Sequence, residues 1–362
     1  MRKHYIDNIR WATVLLVLVY HVFYLYNAEG ILGGVGSFSD VQYQDALMYF
    51  VYPWFMVLLF LVSGISSRYA LEHRSPRQFI RDRTVKLLVP STLGLFAFQW
   101  MVGFLNIWIG GGWNSIPPAV RYPVMVLSGV GPLWFIQMLW GFSLLLVLIR
   151  KMDAGDRFYA LCGKCSLPGI LLLFLPLWGA SQILNLPVLT MYRFGIYFAA
   201  FLIGYFVFSH DEIQDKVERI HLPMLITAVF VGIAYTVYYF GRDYTSGACL
   251  KSFFTNAYLW AAILAVLGCG KAWFDWNSKF TVYMAKSSFG IYIVHYLVAL
   301  SVCSFLKLHT SLPAAAVYPI AVFSVLVLSP ALYELVRRVP VLNFLVLGIS
   351  KRRRKEKTEA KA

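Results

Sequence analysis

The sequence predicts an all-α polytopic membrane protein, a bundle of about ten transmembrane helices with both termini cytoplasmic. Three observations carry that prediction. Of the 362 residues, 59% are hydrophobic and only 14% charged, whereas a soluble domain is nearer half apolar and a quarter charged. Apolar runs of bilayer-spanning length recur along the whole chain, and runs of that length suit helices rather than a barrel. Lysine and arginine also sort by side. With ten spans, every basic residue falls at the cytoplasmic ends or loops except Arg121, Arg193, Arg242, Lys251 and Lys307 outside and Arg10 within the first span. By the positive-inside rule this places both termini in the cytoplasm. The formal net charge of +15 is therefore mostly topological, with attraction to anionic lipid as a further effect, and it does not point to nucleic acid.

The predicted spans are 8–27, 46–67, 87–109, 130–150, 167–184, 192–209, 222–240, 253–270, 287–306 and 313–336. The N-terminus imitates a signal peptide, with Arg2 and Lys3, an apolar run and Ala28-Glu29-Gly30. The run is longer than an ordinary signal core, so it reads as an uncleaved first span. Segment 28–45 has four glycines and no basic residue, and segment 110–129 carries Gly110-Gly-Gly-Trp113 and Pro117-Pro118. Both are expected outside, and neither glycine cluster follows a strand as a phosphate loop would. Residues 1–350 read as a single transmembrane domain and 351–362 as a basic cytoplasmic tail. Of the five cysteines, Cys162 and Cys165 form a lone C-x-x-C. A zinc site needs more ligands, so no metal is expected.

The first span carries two residues that an inert anchor does not need, Arg10 and His21. Eleven residues separate them, three helical turns plus about 20°, so they share a face and stand roughly 16 Å apart along the axis. The face reads Asp7, Arg10, Val14, Val17, His21, Tyr24. Ionisable groups at that depth usually face a bundle interior or a wet cavity. Neutral imidazole can take a proton at ordinary pH, as a general base must. The bland alternatives are a histidine bonding a neighbouring helix and an Asp7–Arg10 surface pair.

Segment Ser67–Pro90 holds Arg68, Arg74, Arg77, Arg81, Arg83 and Lys86, with Phe79 and Ile80 as an apolar foothold. Arginine forks suit phosphate groups, although a topology signal alone would look the same. In the ninth span Ser288, Tyr292 and His295 fall at i, i+4 and i+7, a polar stripe on an apolar helix. His295 is roughly 13 Å into the span, deep enough to approach the cavity of His21. Glu334 precedes Arg337 and Arg338 by three and four residues, the spacing of a helix-end ion pair.

Taken together these residues resemble the acyltransferase-3 family of multi-spanning membrane enzymes, over nearly the whole chain. Arg10 and His21 match the family's Arg, ten residues, then His in the first span. Phe60-Leu-Val-Ser-Gly64, Phe79-Ile-Arg-Asp-Arg83 leading to Pro90, Pro132-Leu-Trp-Phe135 and Ile291-Tyr-Ile-Val-His295 are similar too. The family's basic motif tends to show adjacent arginines, where this chain has Arg81-Asp82-Arg83. Tyr5-Ile-Asp-Asn-Ile-Arg10 and Leu332-Tyr-Glu-Leu-Val-Arg-Arg-Val-Pro340 resemble the branch of the periplasmic glucan succinyltransferase.

The resemblance implies transfer of an acyl group from acyl-CoA to a hydroxyl of a carbohydrate or other cell-envelope acceptor, in a bacterial inner membrane. His21 would be base or acyl relay, with Arg10, Asp7 and His295 in the catalytic set. Arg68, Arg77, Arg81, Arg83 and Lys86 would receive the CoA phosphates. Tyr24, Trp134, Ser288, Tyr292 and Glu334 would contact substrate. No tightly bound cofactor is implied. Two rivals stand beside this: a proton-coupled transporter or flippase, which also suits ten spans and mid-membrane histidines, and a sensor or scaffold, which would not need Arg10 and His21.

Overall fold

The computed structural model describes residues 3–29, 34–153, 155–186 and 191–349. The expected basic tail 351–362, Arg2, and Gly30 and Gly33 of the first outer loop lie outside the described residues. Among the described residues the fold is all-helical, with no strand beyond an isolated antiparallel bridge between Asn185 and Arg193.

The helices are α1 (His4–Leu25), α2 (Tyr43–Glu72), α3 (Pro76–Ile109), α4 (Arg121–Ser128), α5 (Gly131–Met152), α6 (Arg157–Gly163) and α7 (Leu167–Ser181). They continue as α8 (Phe194–Phe206), α9 (Asp211–Arg219), α10 (His221–Tyr239), α11 (Phe253–Trp273), α12 (Lys279–His309), α13 (Ala314–Arg338) and α14 (Pro340–Leu347). Eight of these, α1, α2, α3, α5 and α10 to α13, are each long and apolar enough to cross a membrane. They answer eight of the ten predicted spans, most of them lengthened past the expected ends, because a charged helix end can continue into water.

The other two predicted spans, 167–184 and 192–209, depart from expectation. Each belongs to a bent pair, α6 with α7 at 111° and α8 with α9 at 107°, so the described residues hold eight helices long and apolar enough to cross, or up to ten if each pair spans. The physical reasons lie at the start of the first pair and at the two breaks. The two carboxylate oxygens of Asp153 cap α6 by accepting from the backbone N–H groups of Phe158 and Tyr159 at 3.0 and 3.1 Å. Ser166 caps the start of α7, where Pro168 suits the first turn. Helix α9 is amphipathic, burying Ile213 and Val217, with Asp211 and Glu212 in its first turn and Lys216 and Arg219 in its last, complementing the helix dipole.

The helices form two compact units, each described by itself. Unit one holds residues 1–13, 39–76 and 142–286. Its tightest packing joins α2 to α8. A methyl group built on Gly64 would run into the carbonyl oxygen of Phe201, and one built on Gly204 into that of Leu61. Small residues let membrane helices approach this closely, and Gly64 ends the Phe60–Gly64 motif. The start of α1 is pinned in the same unit: Asn8 Nδ2 donates to the carbonyls of Phe274 and Trp276 at 2.6 and 2.9 Å.

Unit two holds residues 14–38, 77–141 and 287–362. Its α3 is wound irregularly, with π-helical turns at Thr84–Leu88 and Leu95–Gln99 on either side of Pro90. Proline removes a backbone donor, and π turns widen the helix. Hydroxyls bond the carbonyls of this stretch: Ser91 Oγ donates to Leu87 O at 2.7 Å and Thr92 Oγ1 to Leu88 O at 2.6 Å. Helix α4 lies close to α3, since a methyl on Gly103 would meet Met125 O and one on Gly129 would meet Gln99 O.

The Gly64 obstacle is backbone, so no rotamer change relieves it. Gly64→Ala is expected to destabilise the purified protein by about 1–3 kcal/mol, the range for overpacking. Thermal unfolding in detergent checks this, and an unchanged midpoint would show that α2 and α8 separate freely.

Candidate active site

Unit two brings His21 and His295 together. His21 comes from α1 and His295 from α12, 274 residues apart, with ring centroids 4.9 Å apart. His295 is fully buried, while His21 keeps an accessible edge. Each ring is aimed by its own helix. His21 Nδ1 lies 2.8 Å from Val17 O, one turn back, and His295 Nδ1 lies 2.6 Å from Tyr292 O. Carbonyl oxygens only accept, so both Nδ1 atoms carry a proton in the neutral rings.

That assignment settles the contact between the rings. His295 Nε2 is then a lone pair, and it lies 3.2 Å from His21 Nδ1. The His21 Nδ1–H is therefore shared between Val17 O and His295 Nε2. His21 Nε2 is left as a lone pair with no hydrogen-bond partner among the described residues. Chemically this is a base with a supported far side: a proton taken at Nε2 puts charge on a ring whose Nδ1–H already has two acceptors.

Aromatic rings enclose His21. Tyr296, Tyr20 and Tyr24 stand 5.1, 5.5 and 6.0 Å away, centroid to centroid. The segment Gly131–Trp134 closes on α12 from α5. Tyr292 Oη donates to Pro132 O at 2.5 Å, and Phe135 packs 5.7 Å from the Tyr292 ring. Gly131 has φ +40, and a methyl built on it would stand 3.3 Å from the Tyr296 ring. On the other side Gln99, from the second π turn of α3, donates to Ile293 O at 2.8 Å. Ser288 and Trp134 are buried in this unit. Glu334 pairs with Arg337 at 3.0 Å, the spacing pair expected, while its Oε1 is buried without a hydrogen bond among the described residues.

The cations divide between units. Arg10 lies in unit one, bonded to Asp7 Oδ1 at 2.9 Å and to Ser66 Oγ of α2 at 2.5 Å. Arg68, also in unit one, is buried, and both terminal nitrogens of its fork meet Asp156 at 2.8 and 3.1 Å. Its Nε reaches Glu72 at 3.2 Å, and its guanidinium lies 3.6 Å from the Tyr159 ring centroid. That guanidinium is taken by carboxylates of its own chain. Arg77, Arg81, Arg83 and Lys86 stand in unit two along the start of α3, which buried Phe79 anchors. Arg77, Arg81 and Lys86 are exposed, and Arg77 and Arg81 have no ion-pair partner among the described residues.

Sequence reasoning missed Asp156, Ser66, Gln99, Gly131 and Tyr296. Asp156 stands 88 residues from Arg68, beyond any local spacing. Tyr296 had one available signal, its position directly after His295 beside the predicted cavity.

The Arg68 hydrogen bond holds the Asp156 carboxyl below the usual carboxylate range, against a smaller opposing effect of burial. A depressed carboxyl stabilises the fold above the unfolded value, about 3.9, and that contribution is lost as pH falls toward the folded one. Asp156→Asn should therefore lower the thermal midpoint at pH 7, and the gap from the parent should begin to narrow as pH drops below about 4. A gap of unchanged size at pH 3 would show that the carboxylate charge is not what matters.

Comparison with known proteins agrees with this geometry at the level of family. The sequence model of a family described as an acyltransferase domain matches residues 3–334. No curated protein and no solved structure matches the chain. The match covers α1 through nearly all of α13, both histidines included, so the chain belongs to the acyltransferase-3 family and is a multi-pass membrane acyltransferase.

Proposed function

We propose that the protein is an O-acyltransferase that moves an acyl group from acyl-CoA to a hydroxyl of a carbohydrate or other cell-envelope acceptor. The observation that carries this is the open Nε2 of His21, backed through Nδ1 by Val17 O and His295 Nε2. His21 Nε2 takes the acceptor hydroxyl's proton as its oxygen attacks the thioester carbon. When the C–S bond breaks, the proton passes from Nε2 to the leaving thiolate. His295 does not meet the acceptor; it keeps His21 in the useful tautomer and supports the imidazolium. The exposed cations Arg77, Arg81 and Lys86, with Arg83, bind the CoA phosphates. Arg10 orients the first half of α1 through Asp7 and Ser66 rather than touching the reacting atoms. The resemblance to the glucan succinyltransferase branch favours succinyl as the acyl group, with acetyl as the alternative. With eight or ten crossings both termini stand on one side, and the basic loops favour the cytoplasm of a bacterial inner membrane for that side.

Transport is the second reading, and the bent pairs α6–α7 and α8–α9 are the observation that favours it. They follow one another in the chain instead of occupying corresponding halves, which keeps transport second. Uptake by proteoliposomes without acyl turnover would reverse the order.

Two experiments test the enzymatic reading. His21→Gln keeps a polar neighbour but no comparable base, and should lower transfer from succinyl-CoA or acetyl-CoA by about 10²–10⁴-fold, the usual share of general-base catalysis. His295→Ala should cost less, because it removes support and not the base. A folded His21→Gln protein turning over at the parental rate would make His21 a structural histidine.

The second concerns the acyl-CoA end. A hydrogen bond between a guanidinium and a phosphate is worth about 1.5–3 kcal/mol. Arg81→Gln with Arg83→Gln should raise the KM for acyl-CoA at least about tenfold, with folded protein retained and kcat little changed. An unchanged KM would leave the segment a topological role only.

A further inference from the structure

Attack on a thioester leaves the acyl carbonyl oxygen with a full negative charge at the tetrahedral stage. In a site with little water that oxygen needs a preorganised hydrogen-bond donor, and such donors are among the largest contributions to acyl transfer. His21 cannot serve, since its Nε2 holds the proton being moved and its Nδ1–H faces Val17 O and His295 Nε2. His295 cannot serve either, because its one N–H goes to Tyr292 O. Tyr292 gives its hydroxyl proton to Pro132 O.

Tyr296 remains. Its side chain is 6% exposed, and its ring stands 5.1 Å from that of His21 at an interplanar angle of 76°. Its hydroxyl makes no hydrogen bond among the described residues. Unlike the hydroxyl of Tyr205, which is buried with no hydrogen bond among the described residues, it keeps some accessible surface. The ring has little freedom to turn away: Gly131, lacking a side chain, lies against one part of it, and the His295 ring stands 6.3 Å away. If this position served packing alone, phenylalanine would fill it as well, whereas an unbonded hydroxyl with accessible surface can meet a ligand atom.

We propose that Tyr296 is a catalytic residue whose Oη–H donates to the oxyanion formed beside His21. The acceptor oxygen bonds to the acyl carbon while its proton goes to His21 Nε2, and the carbonyl π electrons move to the oxygen held by Tyr296. Those electrons then re-form the carbonyl, the C–S bond breaks, and the CoA thiolate leaves with the proton from Nε2. Tyr296 keeps its own proton throughout. This role rests on the proposed acyl transfer at His21, and the test separates the two.

Tyr296→Phe keeps the ring and removes only the O–H. With succinyl-CoA and acetyl-CoA as the donors used, kcat should fall by about 10²–10³-fold, as on loss of one oxyanion donor. The KM for acyl-CoA should stay within about threefold, because the interaction forms only in the transition state, and the thermal midpoint should not move. His21→Gln is assayed in parallel. Parental kcat in Tyr296→Phe with an inactive His21→Gln overturns the Tyr296 role and leaves His21 as the base. Parental kcat in both overturns the acyl-transfer site itself. A raised KM at unchanged kcat also overturns the role, since the hydroxyl would then bind substrate and nothing more. If Tyr296→Phe does not fold, 3-fluorotyrosine at 296 keeps the hydroxyl and makes it more acidic. The alkaline limb of kcat should then move to lower pH, because only the protonated phenol donates. An unmoved limb overturns the proposal.

Discussion

A bilayer offers no water to a stray backbone group, so every carbonyl and N–H inside it must be bonded within the protein. Much of the second unit can be traced to how α3 meets that demand. Pro90 and two π turns disturb the regular i to i−4 bonding of that helix. Ser91 and Thr92 bond carbonyls on their own turn, and Gln137 of α5 reaches across to Ser91 O at 3.0 Å. Gln99, carried on the second π turn, reaches Ile293 O of α12. Irregular winding thus ties α3 to the helices that bear Trp134 and His295. A straight α3 would point Gln99 elsewhere and leave this stretch of α12 without that bond.

The same bonding rule aims the two histidines. Each donates Nδ1–H to a carbonyl one turn back on its own helix, Val17 for His21 and Tyr292 for His295. Helix geometry therefore favours this tautomer, and for His21 the neighbouring His295 Nε2 reinforces it, with no carboxylate involved. The pair is asymmetric as a result: the buried ring presents a lone pair to the accessible one, and the accessible one presents its lone pair outward. In the familiar serine-protease arrangement an aspartate backs the histidine. Here a neutral imidazole takes that position, which avoids placing an unpaired carboxylate deep in the bundle, where it would be costly.

The spans were legible because hydropathy accumulates over about 20 residues and needs no tertiary knowledge. Both histidines were legible for the same reason: an imidazole deep in an apolar run stands out, and helical rise alone put His295 near the depth of His21. What hydropathy does not carry is direction. Stretches 167–184 and 192–209 are apolar enough to span, yet the chain turns sharply beside each of them, because Ser166 caps a new helix at one turn and the charged α9 begins at the other. Nor does a run of arginines reveal which of them are already spoken for. Arg68 reads like Arg77 and Arg81 in the sequence, and only the fold brings Asp156 and Tyr159 onto it. Tyr296 is one of 23 tyrosines, and its one local mark is its place directly after His295.

The mutual approach of Gly64 and Gly204 has a genetic consequence. Each glycine faces a backbone carbonyl on the other helix, Phe201 for one and Leu61 for the other. Every residue type carries that oxygen, so no exchange of the facing side chain can make room for a larger residue at 64. Second-site suppressors of a Gly64 variant would have to come from positions that let α2 or α8 slide as a body. The two sites would then drift through a lineage as a locked pair of glycines, conserved together and without the compensating size swaps that ordinary packed side chains allow.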